Sequence, residues 1–400
     1  LPCLGAALII YANNPKRLGK ILTNKVMVGL GLISYSLYLV HWPIIVFYKY
    51  SVFEPIDFVA ASAIFSASLL MAALMYKFIE TPWRKIPVFR NKLVLRPFNK
   101  RCAVLAALVA LVALHATYNR GWIWRYPKPV QKLLSMNING MQRDTFNQMQ
   151  GFQSQKRSPK SKNILIIGDS QASDLFSVFK ESKLPVTTAY SYLVIDVLCG
   201  SVYVPEDKLD EYFAANTRIN GRGLVKRGCQ RTWKEVFESP IIKNADEIYL
   251  ASLWEPFQLP YIPSTLEKLR QLTSANITII GRKDFQLSSI EIINRYFQVH
   301  SWRSENIKIS ELNKFAYNFK SPRNDKINRE LESISNLHKA HYFDFFKVLC
   351  NNQDTCQIIT DNEEAIFYDN SHFSKAGARY LAKISAEGMN LPVPKQPVSH

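Results

Sequence analysis

The sequence predicts two regions of different class: transmembrane α-helices in the N-terminal third, then an α/β three-layer sandwich on a parallel sheet. Three observations predict this. The formal charge of +18 is uneven, with 15 Lys/Arg against 3 acids over residues 1–125 and 35 against 29 over the other 275. The same third holds three runs free of Asp, Glu, Lys and Arg: Gly29–Tyr48, Phe58–Tyr76 and Cys102–Tyr118, of 20, 19 and 17 residues. Beyond residue 162, short apolar runs alternate with helical patterns, as in a parallel sheet covered by helices.

A hydrocarbon core about 30 Å thick needs roughly 17–25 apolar residues at 1.5 Å rise each, so all three runs qualify as spans. Lys16, Arg17, Lys20 and Lys25 precede the first run. Lys77, Arg84, Lys85, Arg90, Lys92, Arg96, Lys100 and Arg101 separate the second from the third, while loop 51–57 has no basic residue. The positive-inside rule puts both basic loops in the cytoplasm and everything after Tyr118 on the exported side. Tyr118, Trp122, Trp124 and Tyr126 suit an interfacial aromatic belt. The +18 is therefore an orientation signal, and nucleic acid is not an expected partner. Leu1–Ala12 is apolar but too short to span, and no signal peptide is visible. It reads as the end of a helix begun earlier, which makes residues 1–118 an expected truncated membrane region.

Two local sequences carry a resemblance. SYSLYLVHWP (Ser34–Pro43) and the later Glu80-Thr81-Pro82-Trp83-Arg84 resemble the last core helices of the transmembrane acyltransferase-three family over about residues 1–90. The resemblance implies a domain that passes acyl groups from cytosolic acyl-CoA across the membrane. Acetyl-CoA is then the implied donor for the full-length membrane domain, with no cofactor bound in this chain. His41 matches the late His-Trp-Pro motif, not the family's early catalytic histidine. As an ionisable group at membrane depth it is either a functional residue or a hydrogen-bonding partner between helices.

Residues 119–161 are polar and lack a strong apolar period, so they read as a linker with some helix. An exported domain is expected over 162–390, with a tail at 391–400. Asn163–Gly168 is a short apolar run ending in Gly, suited to a buried parallel strand. Ser173–Glu181 has a helical pattern. Val186–Tyr190 and Glu247–Leu253 are further strands, Thr265–Ser274 a helix, and Asn276–Gly281 a strand. Lys326–His341 is helical, His341–Phe346 a short strand, and Ser374–Glu387 the closing helix.

The chemistry lies at the two ends of this domain. Gly168-Asp169-Ser170 falls where the first strand ends and a helix begins. Backbone N–H groups and the positive dipole end of a helix N-terminus stabilise developing negative charge there. A serine hydroxyl needs a base. Asp369-Asn370-Ser371-His372 supplies one, since Asp and His at i and i+3 share a face of a turn. His372 can then act as general base while Asp369 fixes its tautomer.

Gly-Asp-Ser after the first strand and Asp-x-x-His before the last helix resemble the SGNH (GDSL-like) hydrolase and esterase superfamily. Joined to an acyltransferase-three membrane part, the chain resembles bacterial O-acetyltransferases of cell-surface polysaccharides, including those of O-antigen. The resemblance implies Ser170 as nucleophile, His372 as base and Asp369 as its partner. It also implies an oxyanion hole built from the Ser170 N–H and a second-block glycine, matched by Gly200. The usual third-block Asn is missing; Ser252-Leu253-Trp254-Glu255 stands there instead. Trp254 either lines an acceptor-sugar site or is a core aromatic.

Cys199, Cys229, Cys350 and Cys356 fall in the exported domain, where an even count suggests two disulfides. Of three pairings, the expected one joins Cys199 to Cys229 and Cys350 to Cys356. No CxxC or close Cys/His cluster suggests zinc, and His338 with His341 lacks a third ligand. Arg218, Arg222, Lys226, Arg227 and Arg231 form a basic cluster, either a solvated face or a contact for an acidic glycan. No P-loop or dinucleotide fingerprint appears.

The reading that follows is a serine-dependent O-acyltransferase, an O-acetyltransferase of a bacterial surface polysaccharide. Its partners would be a surface glycan or lipid-linked polysaccharide and the lipid bilayer. Its place would be the inner membrane, multi-pass, with the C-terminal domain in the periplasm. The alternatives are a polysaccharide deacetylase or esterase with the same Ser–His–Asp set, and a non-catalytic membrane-tethered glycan-binding module.

Overall fold

Strand residues buried on both faces specify the centre of the fold. Ile164 and Ile166 point to one side of the first strand, and Leu165 and Ile167 to the other; all four are buried. The computed structural model describes residues 24–51, 56–84, 96–126, 128–151, 162–182, 188–219, 222–299, 308–351 and 354–386. Leu1–Ala12, the basic residues Lys16, Arg17, Lys20, Lys85, Arg90 and Lys92, the side chains of Trp83, Arg84, Arg96, Lys100 and Arg101, and the 391–400 tail lie outside the described residues. The chain divides into two compact units, Leu1–His115 and Ala116–His400.

In the first unit, α1 (Lys25–Ser51) and α2 (Phe58–Met75) pack on each other. A π-helical turn, Tyr76–Glu80, and the short α3 (Thr81–Arg84) follow. Lys25–Lys49 and Phe58–Glu80, 25 and 23 residues long, are apolar enough to cross a membrane. Tyr38, Phe47, Phe58 and Phe65 are exposed on them. The third expected span lies in α4 (Arg96–Tyr118), whose apolar part, Ala103–Tyr118, is shorter. The two motifs of this unit touch: the buried Ser36 hydroxyl donates to Glu80 Oε2 at 2.5 Å. Among the described residues, the hydrogen bonds of His41 stay within its own helix. Its Nδ1 lies 3.1 and 2.9 Å from the Leu37 and Tyr38 carbonyls of its own helix.

The second unit begins with α5 (Lys128–Leu134) and α6 (Ile138–Gly151). Both helices fall in the stretch expected as a linker with some helix, 119–161, and the first of them packs into the core. Val130 and Leu133 of α5 are buried in the core of the sheet domain, and the Tyr126 hydroxyl donates to Asn294 at 2.7 Å. Val130 and Leu133, one turn apart, dock the helix, and the partly buried Leu134 and Met136 add to that apolar face.

Next come β1 (Lys162–Gly168), α7 (Ser170–Glu181), β2 (Thr188–Val194), α8 (Leu209–Ala215), α9 (Gly223–Phe237) and β3 (Glu247–Ala251). The order continues with α10 (Ile262–Leu272), β4 (Asn276–Ile280), α11 (Ser289–Val299), α12 (Ile309–Tyr317), α13 (Pro322–Leu337) and β5 (His341–Phe343). Last are α14 (Phe345–Leu349), the β6 (Cys350–Asn351) and β7 (Thr355–Cys356) ladder, and α15 (Lys375–Ala386). β2 continues to Val194, beyond the expected end at Tyr190, with half-buried residues and polar Ser191 in its second half; Val186 and Thr187 of that expectation lie outside the described residues. β3 stops at Ala251, where Ser252 turns to bond Asp169.

The strand order is β2-β1-β3-β4-β5, and every pairing is parallel. One core cluster joins Ile164 and Ile166 to α7, α11, α12 and α15; the other joins Leu165 and Ile167 to α9, α10 and α13. The architecture is thus three layers. The chain leaves β1 toward β2 on one side and reaches β3 on the other, so the order reverses between β1 and β3. Ligands bind at such a switch point, outside the carboxyl ends of the strands.

Disulfides join Cys199 to Cys229 and Cys350 to Cys356. The first closes a loop of 30 residues and the second one of 6. Loop-closure entropy predicts that Cys199→Ser with Cys229→Ser costs roughly 3–4 kcal/mol, against about 2 kcal/mol for the other pair. Urea denaturation of the two double variants checks the order.

Candidate active site

Gly168 ends β1 with φ +157°, and an added Cβ would sit 1.8 Å from the Ala251 carbonyl oxygen. Only glycine lets β1 and β3 stay paired here while the chain turns into α7. Gly168→Ala is expected to lose about 2–4 kcal/mol of stability through strain and overpacking, measurable by urea denaturation. Asp169 then caps α7: its Oδ1 accepts the Gln171 N–H at 2.9 Å. Its Oδ2 accepts the Ser252 hydroxyl at 2.7 Å and the Leu253 N–H at 2.9 Å. The buried carboxylate therefore fastens the ends of β1 and β3 together. Burial pushes its pKa up, against those N–H groups, the Ser252 hydroxyl and His372.

Ser170 is the first residue of α7 and is half-buried. His372 Nε2 stands 2.7 Å from its Oγ, and His372 Nδ1 stands 2.7 Å from Asp369 Oδ2. The structure brings these three residues together across 202 positions of sequence. The 369–372 segment is a bend, not the helical turn expected from its spacing. Asp369 Oδ1 accepts the N–H groups of Ser371 (2.8 Å) and His372 (2.7 Å), which curls the backbone around the carboxylate. A bridge between Phe367 and Phe373 closes the bend, and the Tyr368 ring stacks on the imidazole.

Burial opposes charge on both members of the His–Asp pair, but their mutual attraction prevails. Asp369 is held below the usual carboxylate range by His372 and the two N–H groups. His372 is raised above 6.5 by its bond to Asp369 and by the Asp174 and Asp369 charges, with Lys283 opposing. The arrangement suits a nucleophile, its base and the base's orienting carboxylate.

Two expected residues lie elsewhere. Trp254 is fully buried, and its Nε1 donates to the Ile280 carbonyl at 2.7 Å. It is a core aromatic, because no face of its ring is exposed for a sugar to stack on. The Gly200 N–H turns back to the Asp196 carbonyl at 3.2 Å. Gly200 is a left-handed turn residue, φ +80°, packed against Tyr212 and Gln258, so its N–H is not free for an oxyanion.

Sequence reasoning missed the segment after β4. Arg282 is buried between Asp284 (2.6 Å) and Glu255 (3.2 Å), and its guanidinium also donates to the Trp254 carbonyl. Lys283 is 2% exposed and reaches Asp174 of α7 at 2.5 Å. The available signal was a charged run, Arg282-Lys283-Asp284, at the carboxyl end of a buried parallel strand. The basic cluster is also split up. Arg218 pairs with Glu255, Lys226 lies over the Phe213 ring, and Arg231 is 3.9 Å from Glu235. Arg218, Glu255, Arg323 and Lys326 line a cleft of about 680 Å³. His338 ends α13 and His341 begins β5; among the described residues no group of three or more His, Cys, Asp or Glu could hold a metal ion.

A family model described as "SGNH domain (fused to AT3 domains)" matches residues 141–387. The chain belongs to this SGNH domain family. The SGNH match includes Ser170, Asp369 and His372 and begins within α6. None of the curated proteins matches the chain. Among solved structures, it is similar to the periplasmic domain of a lipopolysaccharide acetyltransferase from Salmonella ser. Paratyphi A. The TM-score is 0.47 at 14% identity, over 63% of this chain and 97% of that one.

Proposed function

We propose that the chain is an O-acetyltransferase of a bacterial cell-surface polysaccharide and that its SGNH domain works through a serine-bound acyl group. The observation that carries this is the Ser170–His372–Asp369 relay at two 2.7 Å contacts. The family's fusion to AT3 domains supports transfer over hydrolysis, since a secreted esterase needs no membrane partner. In the first half-reaction Ser170 Oγ attacks the acyl carbonyl and gives its proton to His372 Nε2. Asp369 stabilises the imidazolium, and the N-terminus of α7 faces the developing oxyanion. The leaving group departs with that proton, and Ser170 holds the acyl ester. A sugar hydroxyl then gives its proton to His372 and attacks the ester, and the proton returns to Ser170 as the acylated sugar leaves.

Acetyl-CoA supplies the acyl group from the cytosolic side through the membrane part. The helices Lys25–Lys49 and Phe58–Glu80 cross the inner membrane, the apolar helix Ala103–Tyr118 crosses it a third time, and the basic segments before the first and between the second and third stay cytoplasmic, which puts the SGNH domain in the periplasm. In a strain lacking the gene, the surface glycan loses acetyl groups. The wild-type gene restores them and Ser170→Ala does not; restoration by Ser170→Ala removes the covalent role of serine. Free acetate without acylated glycan, from protein supplied with both donor and acceptor, turns the reading into esterase chemistry. Glycan binding without any labelling by a fluorophosphonate probe turns it into a binding module.

A further inference from the structure

Lys283 is almost fully buried, and each donor of its ammonium has a partner. Nζ donates to Gln171 Oε1 at 2.7 Å, to Asp174 Oδ2 at 2.5 Å and to the Ser371 carbonyl at 2.5 Å, and it lies 4.0 Å from the centre of the Phe373 ring. Gln171 and Asp174 sit on α7, in the first turns after Ser170. Ser371 lies between Asp369 and His372. The Phe373 N–H also donates to Asp174 Oδ2 at 3.2 Å, and the Gln171 amide to Ser371 Oγ at 3.4 Å.

The loop after β4, the start of α11 and Tyr368 hold the rest of the bend. The Phe285 N–H donates to the Asn370 carbonyl at 2.8 Å, and the Ser289 N–H to the Asp369 carbonyl at 3.3 Å. The His372 carbonyl accepts the Tyr368 N–H at 3.0 Å. All four carbonyls of 369–372 are thus fixed, and Lys283 alone among these donors also reaches the nucleophile helix. Stability does not explain a buried pair here, because apolar residues of similar volume usually serve a core at least as well.

We propose that Lys283 is a positioning residue whose ammonium, paired with Asp174, ties the nucleophile helix to the Asp369–His372 bend and sets the Ser170–His372 distance. This rests on the serine-nucleophile reading above. A misplacement of about 1 Å in a reacting pair costs about 10²-fold in rate. The pair also tunes the base. The charged groups around His372 are Asp369 from its own bend, Asp174 from α7, Asp169 from the α7 cap and Lys283 from the β4 loop. Asp174 raises the His372 pKa more than Lys283 lowers it.

The test uses the full chain in detergent and the rate at which a fluorophosphonate probe labels Ser170, measured against pH. Lys283→Met with Asp174→Leu removes both charges without leaving one buried alone. Expected are an unchanged melting temperature, a labelling rate at saturating probe about 10- to 100-fold lower, and a pH midpoint moved down. Labelling at the wild-type rate with an unmoved midpoint overturns the proposal. If the double variant melts early, Lys283→Gln carries the test. A slowed rate with the midpoint moved up supports positioning; wild-type rate and midpoint overturn it. Wild-type protein that is not labelled, or Ser170→Ala that labels equally, defeats the serine reading itself.

Discussion

On the proposed serine mechanism, Ser170→Ala is expected to lower acyl transfer by about 10⁴-fold or more while leaving the fold intact. The magnitude follows from what remains when a triad nucleophile is lost: binding and oxyanion contacts only. The fold survives because the Ser170 hydroxyl bonds His372 Nε2, whereas the cap of α7 belongs to Asp169. Alanine is also the best helix former at the first position of α7. The check is mass spectrometry of quenched reactions, in which wild-type protein carries an acetyl group on Ser170 and the variant carries none. Equal melting curves for the two proteins separate lost chemistry from lost folding.

Asp369→Asn is expected to cost nearly as much, about 10⁴-fold in turnover, and for a narrower reason. Asn Oδ1 can still accept the N–H groups of Ser371 and His372, so the bend keeps its shape. The amide nitrogen, however, donates where Asp369 Oδ2 now accepts from Nδ1. Nδ1 must then be the acceptor and Nε2 the donor, and the ring can no longer take the Ser170 proton. The pH dependence carries the sign of the change. His372 acts as base only when neutral, and its pKa is above 6.5, so wild-type activity rises with pH through that higher value. Without the Asp369 charge the rising limb moves to lower pH while its plateau collapses. A plateau that stays within tenfold of wild type removes Asp369 from the orienting role.

The same shifts make stability and activity diverge. His372, raised in the folded state, contributes stability that is complete below 6.5 and lost as pH rises through its folded pKa. Asp369, lowered, contributes stability present above 3.8 and lost as pH falls through its folded pKa. The base becomes active as its own contribution to stability disappears. Melting temperature followed alongside labelling rate from pH 5 to 9 checks this opposition.

How far the site was legible depends on the range of the interactions. Ser170 was readable because strand, glycine and helix start are local events, and each leaves a mark within a few residues. Asp369 and His372 were readable because their partnership spans only three positions. Lys283 was not, because its meaning lies in contacts to Gln171 and Asp174, more than a hundred residues earlier, and to Ser371, 88 residues later. Trp254 shows the converse. An aromatic after a strand invites a ligand-stacking role, and only burial of its ring against the end of β4 decides otherwise. Gly200 is similar: a glycine in the right block says that the backbone turns, not where its N–H points.

The parallel α/β class, the apolar helices of the first third and the place of Ser170 at a strand-to-helix turn were all legible in the amino-acid order alone. Periodicity and local caps encode these directly, since they depend on neighbours two to four residues apart. That α5 belongs to the core, that Asp369 and His372 sit on a bend, and that buried Lys283 joins this bend to α7 emerges only from the folded chain. These depend on which surfaces meet after the chain closes over hundreds of residues, and no short stretch of sequence carries that information.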